Sequence, residues 1–101
     1  MKNKKVTVIG LGNSGLNAAL LLKDAGAIVR VSEGADSLVV RKNAAILDEK
    51  RITYELGCHT KDFIKDSEIV VISPGVEDSS PAVRWANELN VPIISEMEIG
   101  Y

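Results

Sequence analysis

The part of this sequence best suited to hold a ligand is a turn that contains three glycines, Gly10, Gly12 and Gly15. It directly follows a short apolar run and directly precedes a helix-like segment. In that context the first glycine permits a tight turn, the second lets the backbone approach a phosphate, and the third lets the helix pack closely on the strand. The helix directs its free N–H groups and the positive end of its dipole at the anion. The spacing therefore predicts a cradle for a phosphate or pyrophosphate group.

Polar residues in and beyond this turn could complete the site. Asn13 and Ser14 are predicted to cap the following helix, and either could also bond a phosphate oxygen. Glu33 lies 18 residues after Gly15, at the predicted end of the second strand, and is followed by Gly34. An acid at that place can accept hydrogen bonds from ribose hydroxyls or from an N–H of a nucleobase. A strand-end carboxylate in solvent is the alternative, and the glycine turn favours the ligand-binding interpretation.

A second loop, Ser73-Pro74-Gly75, follows a run that is almost entirely β-branched. Pro74 restricts its own backbone and that of Ser73, whereas Gly75 allows a close backbone approach. A plain strand-exit turn could have the same composition. Because the loop is predicted to lie beside the glycine turn, we interpret it as part of the same site.

The elements that must position these loops alternate between short β-rich runs and helical runs. This alternation is typical of a parallel sheet with crossover helices. The predicted fold class is α/β, a Rossmann-like three-layer domain with a mainly parallel sheet of about five strands and helices on both faces. The usual doubly wound order places the first strand beside the fourth, so that both loops lie at the carboxyl edge of the sheet, where ligands bind.

The predicted strands cover residues 5–9, 28–32, 52–55, 68–72 and 91–95. The predicted helices cover residues 16–25, 37–49 and 61–65, and a fourth begins at Pro81 with Ser80 as its N-cap. Gly26 is predicted to end the first helix. In the second helix, the candidates for apolar contact with the sheet are Leu38, Val39, Ala45 and Ile46.

Composition narrows the classes of function. The chain has 101 residues, enough for one domain, with 12 Lys and Arg against 14 Asp and Glu, a net charge of −2. This balance argues against a nucleic-acid surface, which needs clustered excess basic residues. No apolar run approaches the ~20 residues of a membrane span, and no signal peptide is recognisable. We therefore expect a cytoplasmic protein with no membrane or nucleic-acid partner.

Catalytic and metal chemistry are not expected from these residues. A single cysteine, Cys58, cannot form an internal disulfide or a thiolate metal site. Its neighbour His59 lies in a connection predicted to be away from the carboxyl-edge site, so we expect a half-buried thiol and a surface histidine. The sequence contains no nucleophile elbow and no P-loop. We expect a domain that binds, with no catalytic residue and no cofactor or metal of its own.

Three motifs in order, Gly10-Leu11-Gly12-Asn13-Ser14-Gly15, Ser73-Pro74-Gly75-Val76 and the run 91–98, resemble the N-terminal domain of the Mur ligases, most of all the D-glutamate-adding branch. The resemblance covers essentially the whole chain. It implies a domain that binds the UDP part of UDP-N-acetylmuramoyl-L-alanine in peptidoglycan synthesis. It also implies a central domain with the ATP and Mg²⁺ sites and a C-terminal domain, so that residues 1–101 would be an inactive N-terminal fragment.

Position by position, the resemblance assigns diphosphate contacts to Gly12, Asn13 and Ser14, uracil contacts to Glu33 and Gly34, and the wall of the same site to Ser73, Pro74 and Gly75. Two departures concern the uracil side. The acid there is commonly Asp and is here the longer Glu33, and Ala35 stands where some members carry a basic residue.

Two other classes of function remain open on the residues alone. The glycine turn and Glu33 would also suit an NAD(P)-binding domain of an oxidoreductase. That interpretation leaves the loop at 73–75 and the residues at 95–98 unexplained. A small ligand-sensing or interaction domain is the third possibility.

Overall fold

The computed structural model describes residues 3–72 and 81–95, over which strands and helices alternate. The strands are β1 (Lys5–Ile9), β2 (Ile28–Glu33), β3 (Thr53–Leu56), β4 (Ile69–Ile72) and β5 (Ile93–Ser95). The helices are α1 (Asn13–Asp24), α2 (Leu38–Glu49), α3 (Lys61–Lys65) and α4 (Pro81–Glu88). Each predicted element is present, with most bounds within one or two residues of prediction.

All neighbouring strands are parallel and lie in the order β3-β2-β1-β4-β5. The predicted position of β1 beside β4, at the point where the strand order reverses, is therefore confirmed. The register aligns the strand ends, because Ile9 pairs with Ser32 on one side and with Ile72 on the other. The connections that leave β1, β2 and β4 thus start from one edge of the sheet.

Helices cover both faces of the sheet, which confirms the three-layer architecture. On one face, buried Val6 and Val8 of β1 pack in a cluster with residues of α1 and α2. On the other face, Ile9 packs with residues of α3 and α4, including Ile64 and Ala82. A central strand buried on both sides needs apolar residues at successive positions, as β4 has and as β1 has from Val6 to Ile9 apart from buried Thr7.

The first helix begins at Asn13, three residues earlier than predicted, because Gly12 is its N-cap. Its C-terminus agrees with prediction, since Ala25 is the C-cap and Gly26 follows with φ 92°. The last helix begins at Pro81. Its predicted N-cap, Ser80, lies outside the described residues.

The prediction of which face α2 buries was wrong. Leu38 and Val39 are 87% and 58% exposed and Ala45 is exposed, whereas half-buried Ile46 does pack against the core, as predicted. The buried residues are Val40, Asn43, Ala44 and Leu47, which follow the i, i+3, i+4, i+7 spacing of one helix face. Ser37 fixes where the helix starts, since its hydroxyl accepts the N–H of Val40 as an N-cap. Because the polar Asn43 lies in the middle of the buried stripe, apolar residues alone indicated the wrong face.

Among the described residues, no helix is both long enough and apolar enough to cross a membrane.

Candidate functional site

The glycine turn leaves β1 at the carboxyl edge of the sheet and is fixed to β2. Gly10 has φ 102°, a region that favours glycine. Its N–H donates to the carbonyl oxygen of Ser32 at 2.9 Å, so the turn continues the pairing of the two strands by one residue. The positive φ of Gly10 therefore confirms the prediction that this glycine makes the turn.

The N-terminus of α1 presents backbone donors, and its N-cap contributes no side chain to them. Gly12 is the N-cap and makes no side-chain cap hydrogen bond. The first intrahelical bond runs from the N–H of Leu16 to the carbonyl oxygen of Gly12 at 2.9 Å. The N–H groups of Asn13, Ser14 and Gly15 precede that bond and have no intrahelical acceptor. Asn13 and Ser14 are the first two helical residues, so the prediction that they cap the helix was wrong.

The electrostatics of α1 suit an anion at this end. Its first turn contains no acidic residue, and Lys23 lies in its last turn, where a cation is favourable. An anion at the N-terminus would therefore meet the positive end of the helix dipole without a competing carboxylate from the same turn.

Space lies over Gly12 and not over Gly15. Apart from its own chain neighbours, no atom of the described residues would lie within 4 Å of a Cβ built on Gly12, and Gly12 is exposed. Gly15 is buried, as expected of the glycine that lets the helix pack against the sheet. A phosphate could reach the backbone at Gly12 without moving any described residue.

Glu33 connects the glycine turn to the loop that follows β2. Its Oε1 accepts the N–H of Leu11 at 2.8 Å, and its Oε2 accepts the N–H of Ala35 at 2.8 Å. The carboxylate is half-buried. The alternative of a solvated strand-end acid is thus wrong, and each carboxylate oxygen already has a backbone donor. Contact of Glu33 with a ligand stays a prediction.

Asn43 is a site residue that the sequence pattern did not indicate. Its side chain is 5% exposed, and its Nδ2 donates to the carbonyl oxygen of Leu11 at 2.9 Å. The peptide groups of Leu11 are therefore held from two sides, by Glu33 of β2 and by Asn43 of α2. The signal available in the sequence was a lone amide flanked by apolar residues at helical spacing.

His59 lies next to the site, contrary to prediction. Its Nδ1 is 2.7 Å from Ser32 Oγ, and a Cβ added to Gly34 would lie 3.2 Å from its Nε2. Because β3 is parallel to β2, the connection after β3 leaves from the same edge of the sheet. The predicted burial of His59 and its neighbour Cys58 is also reversed. His59 is half-buried and Cys58 is exposed.

The bonds around His59 are those of a structural network and not of a catalytic pair. Ser32 is fully buried and donates its hydroxyl proton to Glu55 Oε2 at 2.5 Å. Glu55 also accepts the N–H and the hydroxyl of Thr60, each at 2.8 Å. Since the single Ser32 proton is used, His59 Nδ1 must be the donor to Ser32 Oγ. A base that donates to the hydroxyl cannot activate it as a nucleophile.

A surface ion pair follows the Glu33 loop. Arg41 Nε and Nη2 donate to the two carboxylate oxygens of Asp36 at 2.7 and 2.9 Å. These hydrogen bonds lower the pKa of Asp36 and raise the pKa of Arg41. On β3, the hydrogen bond from Tyr54 Oη to Asp48 raises the pKa of the tyrosine.

Several predicted residues remain without structural description. The loop Ser73-Pro74-Gly75 lies outside the described residues, as does the Glu96-to-Glu98 part of the third motif. The described part of the chain brings together Gly10, Gly12, Glu33 and the backbone of Asn13, Ser14 and Gly15, with Gly34 beside His59. Within that part, no group of three or more His, Cys, Asp or Glu is placed to hold a metal ion.

Comparisons with known proteins agree on one group of ligases. The family model "Mur ligase MurD-like, N-terminal domain" matches residues 4–95. A UDP-N-acetylmuramoylalanine--D-glutamate ligase of Koribacter versatilis is 36% identical over 99 residues, which are 98% of this chain and 22% of that protein.

Solved structures give the same picture. A pseudomurein peptide ligase type C from Methanothermus fervidus matches with a TM-score of 0.80 at 26% identity, over 96% of this chain and 20% of that one. The UDP-N-acetylmuramate-alanine ligase MurC of Thermotoga maritima matches with a TM-score of 0.77 at 26% identity, over 94% of this chain and 21% of that one. The chain thus spans about a fifth of the length of the relatives it matches.

Proposed function

The chain belongs to the MurD-like N-terminal domain family of the Mur ligases, and from this premise we propose that it binds the UDP part of UDP-N-acetylmuramoyl-L-alanine. The proposed parent protein is an ATP-dependent ligase that adds D-glutamate in peptidoglycan synthesis. The observation that carries the proposal is the family match over residues 4–95, supported by D-glutamate ligase relatives that align with nearly the whole chain.

The geometry of the glycine turn supports a diphosphate as the bound group. The N–H groups of residues 13–15 precede the first intrahelical hydrogen bond, and no described residue outside the turn itself fills the space over Gly12. Backbone donors at a helix N-terminus bind phosphate oxygens without a basic side chain. In this proposal the backbone of the Glu33-Gly34 loop lies on the uracil side of the site, and Ser73, Pro74 and Gly75 complete the wall.

The role of this domain is to hold and orient the substrate. Within the described residues, Ser32, His59, Glu55 and Thr60 are joined by hydrogen bonds, and we assign this network no proton transfer. We propose that the ATP P-loop and the Mg²⁺ sites belong to a central domain of the parent ligase, and that a C-terminal domain completes the ATP and amino-acid sites. The 101 residues alone are then inactive.

The test is a titration of the ¹⁵N-labelled chain with UDP, with UDP-N-acetylmuramoyl-L-alanine and with NADH, followed by amide chemical shifts. We expect both uridine ligands to shift the amides of residues 12–15 and NADH to leave them unchanged. No response to either uridine ligand at millimolar concentration would refute the proposal. A response to NADH alone would favour an oxidoreductase module.

The parent protein can be tested separately through its coding sequence. A segment encoding Gly-Thr-x-Gly-Lys followed by Thr or Ser within a few dozen codons after Tyr101 is expected for the ligase. Its absence would contradict the proposed parent while leaving the UDP titration of the domain valid.

A further inference from the structure

Both peptide groups of Leu11, at the centre of the glycine turn, are held by side chains from other elements. Its N–H donates to Glu33 Oε1 at 2.8 Å, and its carbonyl oxygen accepts Asn43 Nδ2 at 2.9 Å. Its own side chain is fully buried. The residue is thereby fixed in the middle of a segment that glycines on either side would otherwise leave soft.

We infer that Glu33 and Asn43 are positioning residues for the diphosphate, acting through the peptide groups of Leu11. The inference rests on the proposed function for its ligand. A shift of the Leu11 peptide moves Gly12, the N-cap of α1, and so turns the N–H groups of residues 13–15 away from the phosphate oxygens. Binding by several fixed donors requires that they converge on one point, so a small displacement loses more than one contact.

The surroundings of Asn43 support this role. It lies between Val40, Ala44 and Leu47 on the buried face of α2, where an apolar side chain would be ordinary. A buried amide is costly unless it is hydrogen-bonded. The partner that Asn43 has is a carbonyl oxygen of the glycine turn, so the amide connects α2 to the turn.

The bonds of Glu33 make a different prediction from that of a base-contacting acid. Its two oxygens hold backbone N–H groups on two loops, Leu11 on one and Ala35 on the other. A residue that reads the base should affect uridine and UDP equally. A residue that positions the turn should affect only the phosphate-dependent part of the affinity, which is the ratio of the two dissociation constants.

The variant for α2 is Asn43→Leu, which keeps the side-chain size and removes the donor to Leu11. We expect the affinity for UDP to fall roughly tenfold, the size expected for one lost hydrogen bond to a fixed group. The affinity for uridine should stay within twofold. The matched control is Thr7→Val, which removes a buried hydroxyl bonded to Phe63 O and Ser67 Oγ on the opposite face of the sheet. It should leave the affinity for both ligands unchanged.

Glu33→Gln is the second variant and tests the turn from β2. The amide replaces one acceptor oxygen by an NH₂ group, so one of the two backbone N–H groups loses its partner. A selective loss of UDP affinity is expected here as well. Equal weakening of uridine and UDP would overturn the positioning role and assign Glu33 to the base.

A readout without ligand separates this inference from the proposed function. In Asn43→Leu the N–H of Leu11 keeps its acceptor on Glu33, so faster exchange there reports a loosened turn. We expect amide hydrogen exchange at Leu11 to accelerate severalfold relative to the core amide of Val31, and Thr7→Val should not change that ratio. Unchanged exchange at Leu11 would overturn the inference even if UDP binds. If the wild-type chain does not bind UDP but exchange at Leu11 does accelerate, only the proposed function fails.

Discussion

Replacing Gly12 by alanine should separate binding from folding. Gly12 has φ −74° and ψ −174°, which alanine adopts without strain, and in the described part of the chain an added Cβ would meet no atom within 4 Å beyond its chain neighbours. Alanine is a poorer N-cap than glycine by roughly 0.5–1 kcal/mol. Reduced freedom of the unfolded chain offsets this by about 0.4–1 kcal/mol. We therefore expect the free energy of unfolding to change by less than about 0.5 kcal/mol.

The same methyl group would occupy the space through which a phosphate reaches the N–H groups of residues 13–15. Loss of one hydrogen bond to a charged oxygen corresponds to about 1.5–3 kcal/mol, so UDP affinity should fall by about tenfold or more. Urea denaturation followed by the fluorescence of half-buried Trp85 gives the stability, and the amide titration gives the affinity.

The matched control is Gly26→Ala at the other end of α1. Gly26 has φ 92°, where alanine is strained by about 1–3 kcal/mol, so this variant should lose stability and keep its UDP affinity. A folded Gly12→Ala chain that binds UDP within twofold of wild type would refute the assignment of the phosphate to this turn.

Two further substitutions test the packing around the site. Leu47→Ala on the buried face of α2 should lower the free energy of unfolding by about 2–5 kcal/mol, whereas Leu38→Ala, at a side chain 87% exposed, should change it by less than about 0.5 kcal/mol. Urea denaturation checks both, and similar losses would contradict the assigned face. Gly34→Ala places a Cβ 3.2 Å from His59 Nε2, so it should be more destabilising in wild type than in a His59→Ala background by roughly 0.5–1.5 kcal/mol. An additive double-mutant cycle would show that the two residues do not interact.

The architecture could be predicted because its signals are local and repeated. Every strand of the predicted sheet is a short β-rich run, and the connections between strands contain helical patterns. Given that alternation, handedness and the usual strand order leave few topologies. The position of Gly10 and Gly12 at the carboxyl edge follows from the same rules, since a parallel sheet places all its strand ends of one kind together.

The position of His59 could not be obtained from the same local signals. It follows β3, in a connection predicted to lie away from the site at the carboxyl edge. Yet β3 is only one strand removed from β1, with β2 between them, and its register pairs Ser32 with Glu55. Two residues after Glu55, the connection that follows β3 turns back towards β2. The distance of a loop from a site depends on where its strand lies in the sheet and not on its separation along the chain.

The wrong prediction at α2 and the unpredicted backbone bonds of Glu33 both involve the glycine turn. A helix that packs on a sheet through apolar residues alone shows its buried face by their spacing. Asn43 interrupts that spacing, because its amide donates to the Leu11 carbonyl. The residue that made the buried face hard to predict is thus the one that connects α2 to the site.

Glu33 likewise has the position of a ligand-binding acid, but both of its carboxylate oxygens accept backbone N–H groups. Glycines give the turn access to a phosphate at the expense of its rigidity, and the two side chains that restore rigidity come from elements 22 and 32 residues away from Leu11. A polar residue at a buried position of an otherwise apolar helix face can therefore indicate a side chain that bonds and positions a nearby glycine turn.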